Sequence, residues 1–377
     1  MINIFQPCLG QEELAGVERV FKSNWIGKGA ETLAFEKEFA EHLGSDPTHF
    51  TSATCATEGL FLAPLLFELE GYDVVVPSIS FVAVGSAVIA AGARPILCDV
   101  DPHTLNVTWQ NIEDVLTPST KAVYVTHYGG FPCDMDSILS LCASRNIKVI
   151  EDAACAPFAT YKGRPVGTLG DMGVWSFDAM KILVCGDGGM IYLKDPELIE
   201  RAKEYLYLGL PGKSKSGMDS AGGTGNWWEY EVTRPGHRAI MNDISGAIGR
   251  AQLKRVDGFI SRRRAIWERY QKELKTDYRN GPYYPMEVCR PEWIDYHRME
   301  PSYYMFWLQM SEERRDALAR HLLKNGIYTT FRYWPLHRIK MFKKYIPKSR
   351  WNFPNALQGS DYAADHTLNL PIHQAMT

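Results

Sequence analysis

Six short apolar runs, separated by stretches of helical character, restrict this chain more than any other feature. They are Val74–Val76, Pro95–Cys98, Ala122–Thr126, Val149–Glu151, Val174–Phe177 and Met190–Leu193. Strands that alternate with helices in this way form a mostly parallel sheet with helices on both faces, so the chain reads as α/β. Its 377 residues suffice for about two domains. Residues 1–250 read as the large α/β domain. Residues 251–377 read as a smaller α/β domain, with a strand at Met305–Leu308 and a helix at Glu312–Asn325.

Composition narrows the function. A formal net charge of −3 leaves no basic excess to recruit nucleic acid or an anionic membrane. The eight cysteines are scattered, without a C-x-x-C pair or zinc-ligand spacing, so no metal site is expected and the thiols read as reduced. From Asp73 to Arg94 no charge intervenes, yet Pro77, Ser78, Ser80, Gly85 and Ser86 divide this window into a strand and a helix from about Phe81 to Ala91. The opening Met1–Pro7 has neither a basic nor a long apolar stretch and does not read as a signal peptide. A cytoplasmic enzyme is the expectation.

Candidate chemistry centres on Trp175–Leu193, read as strand, turn and strand. Lys181 stands just past the first strand, after Ser176 and before Gly186-Asp187-Gly188-Gly189. An amine held there is partly dry. Desolvation disfavours the ammonium, so a lowered pKa and a nucleophile able to form an imine with an aldehyde are expected. Taken alone, a lysine after a strand is an ordinary surface residue. Upstream, Ile147–Ala154 is an apolar strand that ends in Glu151 and Asp152. Ligands of open α/β sheets sit at the carboxyl ends of strands. Asp152 alone fits a turn cap equally well. Paired with Lys181, it fits the demand of pyridoxal 5'-phosphate (PLP) for a lysine amine and a carboxylate facing the ring nitrogen. At about 4 Å and an effective dielectric near 20 that attraction is roughly 4 kcal/mol, enough to keep the nitrogen protonated.

Glu151-Asp152-Ala153-Ala154, Ser176-Phe177, Lys181 and Gly186-Asp187-Gly188-Gly189 together resemble the signature of the sugar aminotransferases of PLP fold type I, the DegT/StrS family. The resemblance runs from Trp25-Ile26-Gly27 to Leu370-Pro371. It implies a mostly parallel seven-stranded sheet flanked by helices, a smaller C-terminal α/β domain, and a homodimer with shared sites. By the same resemblance Lys181 carries PLP and moves the substrate proton, and Asp152 faces the ring nitrogen. Phe81 stacks on the ring, and Ala56, Thr57 and Ser176 hold the phosphate. Cys55-Ala56-Thr57 falls on a turn that is Ser-Gly-Thr in the family, and Cys155 stands where glutamine approaches the phenolic oxygen. Asp178 replaces a histidine, with no physical account available from the sequence. Gly236, Arg238 and Ile240 fall on a Gly-x-Asn-x-Arg pattern that reaches the neighbouring subunit's phosphate, leaving Arg238 as the candidate contact. Trp25, on a glycine loop, and Tyr333 and His337, in Arg332–His337, are the substrate-side candidates.

Other features have plainer readings. His127 reads as a satisfied histidine beneath the sheet, and Arg262-Arg263-Arg264 as a solvated helix face. Trp227-Trp228, beside the loop from Gly209 to Tyr230, suits a lid, a subunit contact or a core anchor equally. The chain stops soon after Leu370-Pro371, where family members usually continue into a further helix.

The resemblance implies transfer of an amino group from an amino acid, L-glutamate, to a nucleotide-linked keto-deoxy sugar such as a dTDP-4-keto-6-deoxyhexose. A 3-keto sugar aminotransferase, a PLP sugar dehydratase and a PLP-binding regulator without turnover are the alternatives. Dehydratases of the family carry histidine at the position of Lys181.

Overall fold

The computed structural model describes residues 1–210, 231–232, 234–274, 287–288, 298–344 and 357–376, so Trp227-Trp228, read as a lid, a subunit contact or a core anchor, lies outside the described residues. In chain order the strands are β1 (Phe50–Ala53), β2 (Asp73–Pro77), β3 (Arg94–Cys98), β4 (Thr120–Thr126), β5 (Lys148–Asp152), β6 (Thr160–Tyr161), β7 (Arg164–Pro165), β8 (Met172–Ser176), β9 (Gly189–Leu193), β10 (Glu287–Val288), β11 (Met299–Glu300), β12 (Phe306–Gln309) and β13 (Thr367–Leu370). The helices are α1 (Gln11–Ser23), α2 (Ala30–His42), α3 (Ala56–Leu66), α4 (Val82–Ala90), α5 (Trp109–Glu113), α6 (Met135–Ser144), α7 (Glu197–Leu206), α8 (Asp243–Leu253), α9 (Val256–Glu273), α10 (Glu312–Lys324) and α11 (Gln358–His366). None is long and apolar enough to cross a membrane among the described residues.

The expected α/β architecture is present. Seven strands form one sheet in the order β1-β9-β8-β5-β4-β2-β3, and smaller sheets join β10-β12-β13 and β11-β6-β7. The apolar runs build the large sheet because both of its faces are covered. Val74 and Val76 pack into a core with α3, α4 and α7, while Val75 between them packs into a second core with α2, α6 and the strand residues Phe306 and Trp307. Alternate residues of one strand thus serve opposite cores.

β9 runs antiparallel to both β1 and β8, whereas β8, β5, β4, β2 and β3 are mutually parallel. The carboxyl ends of β1, β8, β5, β4 and β2 and the amino end of β9 therefore share one edge, with Ala53, Gly189 and Ser176 aligned across three strands. β1 has hydroxyl residues where an apolar run would be expected. It is held by Glu36 of α2, whose Oε1 accepts from Ser52 N at 2.8 Å and Ser52 Oγ at 2.6 Å.

Two charged groups anchor helices from within. Asp243, the first residue of α8, is buried and accepts from Gly29 N at 2.8 Å, Thr32 N at 2.9 Å and Thr32 Oγ1 at 2.8 Å, closing the start of α2. Arg263 corrects the solvated-face expectation. It is fully buried and donates to Ile372 O at 2.9 Å, Tyr304 O at 3.3 Å and Gln374 Oε1 at 3.0 Å, tying α9 to the C-terminal segment, and burial lowers its pKa to about 10.

Removing the Asp243 carboxylate strands several donors in a buried place. Asp243→Ala should lower unfolding stability by about 2–4 kcal/mol, as read by denaturant titration of the purified protein.

Candidate active site

Past Ser176 the chain enters a turn closed by its own backbone. Phe177 donates to Gly188 O and accepts from Cys185 N, both at 2.8 Å, and Asp178 bridges to Gly186. Asp178 now has a physical role: its carbonyl accepts from Lys181 N at 2.9 Å and its Oδ1 from Met180 N at 2.9 Å, so it caps the turn that presents the lysine. Ile182, Leu183 and Val184, all buried, root the turn in the core.

Lys181 is half-buried. Its Nζ lies 3.5 Å from Cys155 Sγ and 5.1 Å from the centroid of the Tyr304 ring. Burial pulls the ammonium down, but Cys155, Tyr304, Asp152 and Asp178 together outweigh it, and the amine is held above its ordinary value. The expectation of a lowered pKa is thus corrected for the cofactor-free chain: desolvation acts as foreseen, and the anionic and aromatic surroundings exceed it.

Asp152 ends β5 beside β8 and is buried. One carboxylate oxygen, Oδ1, accepts from Ala154 N at 3.1 Å, and the other has no hydrogen-bond partner among the described residues. Burial pushes this carboxyl above its ordinary value, against the hydrogen bond from Ala154 and the charges of Lys181 and His127. Its neighbour Glu151 faces the other way and is structural. It accepts from Gly167 N at 2.8 Å, Leu169 N at 2.7 Å, Gly170 N at 2.6 Å and His127 Nε2 at 3.0 Å. His127 is therefore the satisfied histidine expected beneath the sheet.

On the far side of Ser176, α3 begins at the same edge. Cys55 is its N-cap without a side-chain cap bond, so the first N–H groups, those of Ala56 and Thr57 among them, stay unpaired within the helix. Gly189 allows this approach, since a Cβ there would lie 2.6 Å from Ala56 N. Ala56, Thr57 and Ser176 thereby converge. Phe81, N-cap of α4 and 49% exposed, sits with its ring centroid 5.7 Å from that of Tyr333, whose hydroxyl is 3.3 Å from Cys155 Sγ.

A family model described as the DegT/DnrJ/EryC1/StrS aminotransferase family matches residues 7–377. This chain belongs to that family. Among curated relatives, dTDP-4-dehydro-2,3,6-trideoxy-D-glucose 4-aminotransferase of Saccharopolyspora spinosa is 43% identical over 377 residues, covering 100% of this chain and 93% of the relative. Among solved structures, the aminotransferase TlmJ of Streptoalloteichus hindustanus superposes with a TM-score of 0.87 at 46% identity, covering 100% of this chain and 94% of that one. Sugar aminotransferase CalS13 of Micromonospora echinospora gives 0.85 at 28% identity, covering 100% and 96%.

Of three further residues singled out by likeness to the DegT/DnrJ/EryC1/StrS family, His337 and Trp25 are not drawn into the cluster around Lys181, and Arg238 is the one whose expected contact lies on a neighbouring subunit. Both ring nitrogens of His337 are engaged elsewhere, Nδ1 with Ser78 Oγ at 2.7 Å and Nε2 with Asp361 Oδ1 at 3.0 Å, and burial lowers its pKa. Arg238 is exposed, with its guanidinium 5.5 Å from the Tyr207 ring, although Ala239 O beside it accepts from Thr54 N ahead of α3. Trp25 is 53% exposed and donates to Lys28 O at 3.1 Å within its own loop. Conversely, Tyr304 was not anticipated. It is fully buried, stacks on Phe5 at 4.7 Å, lies under the lysine amine, and its hydroxyl has no partner among the described residues. Nothing in Tyr303-Tyr304-Met305 distinguishes it from core.

An acid whose pKa is higher folded than unfolded binds its proton more tightly in the folded state. Stability it contributes is present below the unfolded value of 3.8 and is lost as pH rises through the folded value. Asp152→Asn should therefore raise the melting temperature of the cofactor-free protein at pH 7, and the difference from wild type should close as the pH falls toward 4, as followed by calorimetry.

Proposed function

We propose that this aminotransferase uses PLP to place an amino group on a nucleotide-linked keto-deoxy sugar, such as a dTDP-4-keto-6-deoxyhexose, with L-glutamate as donor and two copies of the chain sharing their sites. The observation that carries this reading is the convergence of Lys181, Asp152 and the start of α3 on one sheet edge.

The residues present fit that cofactor. A cationic ring nitrogen would relieve the buried Asp152 carboxyl, which has an oxygen to spare. The N–H groups of Ala56 and Thr57, which have no partner within the helix, together with Ser176, suit a phosphate. Phe81 offers a half-exposed ring, and Cys155 stands ready at the amine as a weak donor toward a phenolic oxygen. Bound there, PLP supplies an aldehyde and an electron-withdrawing ring. Lys181 supplies the amine and afterwards carries a proton to and from the reacting carbon. Its proton must first leave. With the Asp152 charge directed at a ring nitrogen, less of it is left to hold the ammonium, and desolvation regains its weight.

The name of the Saccharopolyspora relative supports a 4-keto sugar on dTDP. Lys181 in place of histidine argues against a dehydratase. Large exposed side chains at Phe21, Trp25 and Ile26 give a second copy apolar surface to cover.

Lys181→Ala should reduce transamination by at least about 10²–10⁴-fold, and borohydride should label wild type at Lys181 and leave the variant unlabelled. Label on another side chain would refute the assignment. A coloured protein that glutamate fails to bleach would favour the regulator. Sedimentation of the active enzyme should give a dimer, and full activity in a monomer would reject shared sites.

A further inference from the structure

Cys155 stands just after β5, and its backbone is pinned where its carbonyl accepts from Ser302 Oγ at 3.0 Å. Its sulfur meets two polar groups. Lys181 Nζ donates to Sγ at 3.5 Å, from a turn closed by Lys181 N on Asp178 O at 2.9 Å. The Tyr333 hydroxyl lies 3.3 Å from the same sulfur, on a segment held where Arg332 N donates to Asn369 Oδ1 at 2.8 Å. An ammonium has no lone pair, so it can only donate, and a sulfur that receives its hydrogen bond is favoured as the reactive thiolate. Other thiols of the core are placed differently. Cys133 Sγ donates to Thr126 O at 3.4 Å, and burial holds Cys98, Cys133, Cys142 and Cys185 above the ordinary thiol value. Cys155 is itself only 4% exposed, but Lys181 beside it is half-buried at the carboxyl edge of the sheet, which gives a small oxidant a way in.

We propose that Cys155 and Lys181 form an oxidative modification site, at which a hydroperoxide joins sulfur to nitrogen as a sulfenamide. The thiolate attacks one peroxide oxygen: the S–O bond forms, the O–O bond breaks, and the departing hydroxide takes a proton from the Lys181 ammonium. The amine so freed attacks the sulfur. The S–N bond forms, the S–O bond breaks, and the oxygen leaves with an amine proton as water. Sulfur is oxidised by two electrons and the peroxide is reduced, so one thiol, one amine and one hydrogen peroxide become one sulfenamide and two waters. A dithiol reverses the step, since one thiolate attacks the sulfur, the amine leaves with a proton, and the second thiol closes the reductant's own disulfide. The bond consumes the amine that a cofactor aldehyde needs, whereas PLP bound first withholds that amine from the sulfur.

The bond itself needs only this chain and a peroxide; its effect on loading rests on the PLP reading, and the test separates the two. Cofactor-free, full-length protein treated with hydrogen peroxide, alkylated and digested should give the Cys155 peptide joined to the Lys181 peptide, lighter than the sum of the two by two hydrogens, and dithiothreitol should release both. The treated protein should fail to develop a visible band when PLP is added, and should recover it after dithiothreitol. Cys155→Ser, measured against its own untreated sample, should lose no PLP uptake to peroxide. Lys181→Ala should retain Cys155 as the sulfenic acid, which dimedone labels. Absence of the joined peptide from wild type, with Cys155 unmodified or carrying oxygen alone, would overturn the site, as would an equal loss of uptake in Cys155→Ser. If the joined peptide forms as readily in PLP-loaded enzyme, the site stands and the assignment of PLP to Lys181 fails instead.

Discussion

The carboxylate of Glu151 is the interaction on which the rest of the site depends. It is sealed from solvent, and an uncompensated charge there would cost several kcal/mol. Three backbone N–H groups between Gly167 and Gly170 and the ring of His127 satisfy it, and His127 is itself oriented by a bond from Cys133 N at 3.1 Å. These contacts fix the rotation of β5 about its axis. Because successive strand residues point to opposite faces, locking Glu151 inward leaves Asp152 facing the other way. Two adjacent acids thus take different roles: one has its hydrogen bonds satisfied by the chain itself, and the other is left with an oxygen to spare.

How far the sequence discloses this arrangement depends on where each residue's partners lie. The sheet was legible because β2, β4, β5 and β8 supply apolar residues to both cores, so their runs stand out. β1 was not, since Thr51 and Ser52 break the run and the group that holds Ser52, Glu36, belongs to a separate helix. Lys181 and Asp152 were legible because each follows an apolar run directly, at the edge where parallel strands deliver ligands. Arg263 left a signal that a charge count conceals. It falls on the same helical stripe as Phe259, Ile266 and Trp267, all buried, so its neighbours Arg262 and Arg264 point outward while it does not.

Harder to foresee was the division of labour within Arg332–His337. Tyr333 turns toward Cys155, whereas Leu336 and His337 turn back beneath the sheet, where Leu336 N donates to Ser78 O at 2.8 Å. Which polar residue of such a loop reaches the cleft is decided by Ser78, Asp361 and Asn369, which come from distant segments. The charge state of Lys181 was illegible for a similar reason. Desolvation can be inferred from an apolar strand, but the opposing influence of Cys155, Tyr304 and Asp178 exists only once the turn, the strand end and the C-terminal residues have met.

β1 finds its backbone partner only across β9, with Phe50 opposite Tyr192. Everything between them must be made before that pairing can close, and pairings of high sequence separation form slowly. During synthesis the start of α3 therefore emerges long before the glycine at the head of β9 that packs against it, and the edge where Ala56, Gly189 and Ser176 meet is one of the last parts of the large sheet to be completed. A nascent chain can bury much of its core around β2, β4 and β5 while that edge of the sheet is still unformed.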